Sequence, residues 1–113
     1  MTIVQNKISI NELRKMAQET FGDLVKAVVD IEKEIMVIDA ELHSDAEALL
    51  LENGSEQKNL WGINLYPALD NEDFIEFDSM INLRPSFGNL SRGVDDPQIR
   101  EKIINIVNKL VER

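Results

Sequence analysis

Apolar residues recur along this chain with two periods, and the alternation between them predicts the elements. Ile10, Leu13, Met16, Ala17 and Phe21 follow helical spacing. Ser9 and Glu12 form a capping box ahead of that run, and Gly22 suits a C-terminal cap behind it. TIVQNKI before the box can start the chain as a short strand. From Val25 the period drops to two. Val25, Ala27, Val29 and Ile31 share one side, and after the charged turn Glu32-Lys33-Glu34 so do Met36, Ile38, Ala40 and Leu42. Two such arms predict a β-hairpin with one buried face. SDAEALLLENGS reads either as a strand running into a turn or as a short helix; Ser44 and Glu47, a second capping box, favour the helix.

Period two returns over Asn59 to Tyr66, with Trp61, Ile63 and Leu65 on one face. It returns again over Phe74 to Leu83, which predicts Ile75, Phe77, Ser79, Ile81 and Leu83 pointing inward. Arg84-Pro85 ends that strand, because proline has no amide for a ladder. Asp96 then caps a last helix that opens on Pro97. Its apolar stripe is Ile99, Ile103, Ile106, Val107 and Leu110. Ile103 and Ile106 are expected to bury against Val29, Ile38 or Ile81. The order β-α-β-β-α-β-β-α, with hairpin connections, predicts an α+β fold. It is expected to have two layers, a mainly antiparallel sheet with the helices packed on one face. The 113 residues are expected to form a single compact domain, 1–113.

With 43% hydrophobic and 29% charged residues, the balance is that of a globular chain rather than a disordered one. The 12 basic residues face 21 acidic ones, a net charge of −9. Nucleic-acid binding draws most of its affinity from cations on phosphates, and this chain has no basic run to supply them. Anionic membranes are disfavoured for the same reason. With no cysteine, disulfides, thiolate zinc sites and a cysteine nucleophile are excluded. The N-terminus MTIVQNKISI lacks the pattern of a signal peptide, and no apolar run suits a membrane span. The expected compartment is the cytoplasm.

The alternation that builds the core also defines an opposite face. It would carry Asp30, Asp39, Glu41, His43, Asn64, Tyr66, Glu76, Asp78, Asn82 and Arg84. That face is either a solvated outer surface or a shallow polar site. Asp39, Glu41 and His43, at i, i+2 and i+4, would share one side of a strand. Such a set could hold a hard or borderline divalent ion, but the single histidine excludes a zinc site of two or three imidazoles, and no metal and no cofactor is expected. No nucleophile–histidine–acid order can be assembled either.

Residues 82–98, NLRPSFGNLSRGVDDPQ, break the regular pattern. Lysine is absent from Asn59 through Glu101, yet Arg84, Arg92 and Arg100, three of the five arginines, fall there. A guanidinium fork suits carboxylates and phosphates. The candidate ligand or partner contacts are therefore Asp78, Asn82, Arg84, Asn89, Ser91, Arg92 and Asp95. Either the arginines pair internally with the acidic face, or the loop contacts a ligand. At least one of Arg84 and Arg92 is expected to touch a carboxylate, and the loop is expected to be ordered.

KAVVDIEKEIMVIDAELH, ALLLENGS, LWGINLYP and IEFDSMINLRPSFGNLSRGVDDP together resemble a small bacterial and archaeal domain family of unknown function. The resemblance spans nearly the whole chain. It implies a compact domain of about this length and brings no activity, cofactor or site residue. The leading functional expectation is a cytoplasmic binding or regulatory interaction module that associates with itself or another protein. The alternative is a small enzyme or anionic-ligand-binding protein using the polar sheet face and the 84–96 loop.

Overall fold

The computed structural model describes all 113 residues. The chain forms β1 (Thr2–Val4), β2 (Ile8–Ser9), α1 (Ile10–Glu19), β3 (Val25–Asp30), β4 (Ile35–Ala40) and α2 (His43–Glu52). It continues through β5 (Leu60–Leu65), β6 (Ile75–Glu76), α3 (Pro97–Leu110) and β7 (Val111–Glu112). Five strands make one sheet in the order β1-β4-β3-β5-β6, every neighbouring pair antiparallel. The α+β class holds. β2 and β7 form a separate parallel pair that ties the two ends of the chain together, which hydrophobic periodicity did not show.

The helix starts follow the caps. The Ser9 hydroxyl accepts from the Glu12 amide at 3.1 Å, and Asp96 accepts from the Gln98 amide at 2.8 Å. α2 is a helix, as its capping box favoured, but it starts at His43 with Leu42 in the capping position and no side-chain cap. At the β3–β4 turn Asp30, expected on an outer face, is buried. Its carboxylate accepts from the Glu32 and Lys33 amides and the Ser55 hydroxyl. A buried acid thus closes a turn that lacks the glycine of a tight hairpin.

The helices do not share one face. α1 and α3 cover the side that carries Val25, Ala27, Val29, Met36, Ile38, Trp61, Ile63 and Leu65. Ile103 and Ile106 lie in this core with Val29 and Ile38, whereas Ile81 packs on the other side of the sheet. α2 covers that other side, setting Ala46 and Leu50 on Val28, Val37 and Leu60. The expected two-layer arrangement is therefore corrected to a sheet with helices on both faces. The physical reason is in Val28 and Val37. They interrupt the polar face with apolar positions, which α2 and Ile81 bury.

Two further departures shape the site. Across Lys26 and Ala27 the ladder slips, and Asp39 is the extra residue of a bulge at φ +63°. The bulge turns Ala40 onto the α2 side and leaves Leu42 exposed, so neither continues the inward row. It also separates Asp39 and Glu41 from His43. The His43 Nε2–H donates to the Ile63 carbonyl at 2.8 Å. Burial pushes the pKa of that imidazole down, while the Ile63 bond pulls it back up.

The strand expected over Phe74 to Leu83 stops at Glu76. The chain then crosses onto the α2 side of the sheet. A β-carbon at Gly62 would lie 2.5 Å from the Ser79 β-carbon, so only glycine lets the crossing pass so close to β5.

Candidate functional site

The crossing begins a segment, Ser79 to Asp96, built from short turns rather than strand. Its polar side chains do the work of a ladder. The Asn82 amide accepts from Gly62 N–H at 2.8 Å and donates to Gly62 C=O at 2.9 Å. Those are the two bonds a neighbouring strand would have made to β5. The same amide donates to the Arg92 carbonyl at 2.9 Å, and the Ser79 amide donates to that carbonyl as well.

Further along, Arg84 and Asn89 pair through their main chains around a turn at Pro85–Phe87, which Gly88 closes at φ +83°. The Asn89 amide nitrogen serves the carbonyls of Asn82, Ser91 and Gly93, and its oxygen accepts from the Asp95 amide. Asp95 accepts from the Leu90 amide at 2.7 Å and the Ser91 hydroxyl at 2.5 Å. The Ser91 bond, then the Leu90 amide, holds this carboxyl below its usual range.

Arg84 is buried. Its guanidinium donates to the carbonyls of Gln57 at 2.6 Å and Leu60 at 2.5 Å, and lies 4.4 Å over the Trp61 ring. Burial pushes its pKa down, with Glu47 acting in the opposite sense. It touches no carboxylate. Arg92 does: its Nε–H donates to Asp78 at 2.7 Å, on the surface. An exposed pair of this kind is worth about 0–1 kcal/mol.

Of the seven candidate residues, Asn82, Arg84, Asn89, Ser91 and Asp95 thus come together in one network. Asp78 and Arg92 form a separate pair at its rim, so Asp78, Arg84 and Arg92 do not converge on a common cavity. Arg100 lies elsewhere again, in a groove of about 830 Å³ between residues 71–77 and α3. There Arg113 stacks on Phe74 and pairs with Asp70.

The polar sheet face, read as either a solvated outer surface or a shallow polar site, is not wholly an outer face. Asp30, Asn64, Asn82 and Arg84 are all buried. Glu41 and Glu76 of that face stay exposed and Asp78 partly so, and at its edge Asn64 and Tyr66 both donate to Glu76.

What sequence reading missed is the apolar half of the loop. Met80 and Phe87 are each 62% exposed, Leu90 71% and Leu83 41%. Asn82 at 0%, Asn89 at 4% and Arg84 at 9% lie beneath them. At these seven positions the ordinary partition is inverted, polar inside and apolar outside, whereas Val94 of the same segment is buried in the main core. The signal was the lack of any period linking Phe87 and Leu90 to the core stripes; Leu83, expected to point inward, is exposed instead. Trp61 was placed only in the core, yet with Arg84, Phe87, Asn89 and Asp95 it lines a cleft of about 330 Å³.

Fold and site together define a small α+β domain with an ordered loop that displays apolar side chains. The chain belongs to a family described as protein of unknown function (DUF5674), matched over residues 2–110. No curated protein and no solved structure matches it. No helix is long and apolar enough to cross a membrane.

Proposed function

We propose that residues 1–113 act as one cytoplasmic binding module whose contact surface is the outer side of the 79–93 loop, and that its partner there is a second copy of the chain. The observation that carries this reading is the inverted loop. Three buried polar side chains hold Met80, Leu83, Phe87 and Leu90 in solvent. An ordered loop that keeps large apolar groups in water gains free energy when another surface covers them.

Charge supports a second copy. Arg92 stands two residues from Leu90, and Asp78 two residues from Met80, so opposite charges flank the apolar positions. Across a two-fold axis such a surface meets itself, and the Arg92–Asp78 pair within each copy can be exchanged for Arg92 of one copy on Asp78 of the other. The cytoplasmic setting rests on the cysteine-free, acidic composition.

Sedimentation equilibrium tests the proposal. The wild-type chain is expected to dimerise at micromolar concentration. The double substitution Phe87→Ser, Leu90→Asp is expected to make it monomeric with little loss of stability, since both side chains are mostly exposed. A wild-type chain that stays monomeric to millimolar concentration would refute self-association through this loop.

A further inference from the structure

The cleft beside the loop shares Phe87 with the proposed contact surface but has a polar chemistry of its own. At about 330 Å³ it lies at the small end of ligand sites, which span roughly 300–1,000 Å³. Two of its lining side chains, Trp61 and Arg84, are each more than nine-tenths buried. Neither is satisfied: the Arg84 Nε–H and the Trp61 Nε1–H have no protein acceptor. Arg84 hydrogen-bonds only neutral carbonyls, and the Glu47 carboxylate acts on it without forming an ion pair, so its positive charge has no anion in direct contact. A buried charge in that state is costly and gains from a carboxylate. Lys58 adds a second cation at the cleft and is paired only with its exposed neighbour Glu56.

The cleft also carries Asp95 and Asp96. Internal bonds fix both: Asp95 to the Leu90 amide and Ser91, Asp96 to the Gln98 amide. Each carboxylate is held in a set orientation. A simple anion would be attracted by Arg84 and Lys58 but repelled by the two acids. A simple amine would meet the reverse. Phe87 and Ile99 supply apolar surface between these groups and the solvent.

We propose that this cleft binds a small zwitterion, an α-amino acid with an apolar side chain. Its carboxylate meets Arg84 and Lys58, its ammonium group meets Asp95 and Asp96, and its side chain lies on Phe87 and Ile99.

Trp61 is the only tryptophan, so its emission reports the cleft directly. The full chain would be titrated with L-leucine and L-phenylalanine, then with 3-phenylpropanoate, which lacks the ammonium group, and 2-phenylethylamine, which lacks the carboxylate. A saturable change with the amino acids is expected, and binding at least about tenfold weaker for each half-analogue. Lys58→Glu should weaken amino-acid binding about tenfold with an unchanged melting temperature, because Lys58 is exposed and makes no tertiary contact through its charge. No emission change with either amino acid would overturn the proposal. So would equal binding of a half-analogue, or wild-type binding by the Lys58→Glu chain.

Discussion

Asn82→Ala is expected to be among the most damaging single substitutions in this chain. The side chain is fully buried and replaces a strand along part of β5. Truncation strands the Gly62 N–H, the Gly62 C=O and one bond to the Arg92 C=O. A buried group left without its partner costs about 1–3 kcal/mol, so the total should reach about 3–6 kcal/mol. That is comparable to the whole stability of a small domain, typically about 5–15 kcal/mol. The cost falls on fold and loop together, because Arg92 and the crossing at Ser79 hang on the same amide. Urea titration reads it. A loss under about 1 kcal/mol would mean that the asparagine does not close the sheet edge.

Ile103→Ala should cost about 2–5 kcal/mol by removing a fully buried side chain and leaving a cavity. Ile103 belongs to the same core as Val29, Ile38 and Leu110, where α3 lies on the sheet. Its environment is apolar, so nothing polar can move in to fill the space. The effect should be stability alone, with association through the loop unchanged in the folded fraction. A change within 0.5 kcal/mol, the range of ordinary surface substitutions, would place the α3 stripe elsewhere.

These two residues also mark what the sequence could disclose. Ile103 was legible because a helix of 3.6-residue period writes its buried face directly into spacing; α1 and α3 were found that way, and β5 by its period of two. Caps at Ser9 and Asp96 located two helix starts for an equally local reason. Asn82 was legible only as a candidate. Its position in the alternation said outward, while its role as a substitute strand depends on Gly62, twenty residues away in sequence. The same distance hid the end of β6. Alternation continued through Ile81 and Leu83, but the ladder had already passed to a side chain.

Asp39 misled for a different reason. A single bulge reverses every later position, so Ala40 was assigned to the wrong face. The polar half of the site was visible as residue types that bind. The apolar half was not, since exposure is a property of three-dimensional packing and Phe87 or Leu90 alone looks like any loop hydrophobe.

Amide hydrogen exchange over residues 79–95, followed as protein concentration is raised, tests the inverted loop most directly. The amides of Ser79, Arg84, Asn89, Leu90 and Asp95 all donate to protein acceptors. We expect them to exchange far more slowly than an unstructured chain at every concentration. We expect the amides around Phe87 and Leu90 to slow further as copies associate. Random-coil exchange across 79–95, unchanged by concentration, would show that the loop is neither held from within nor covered from outside.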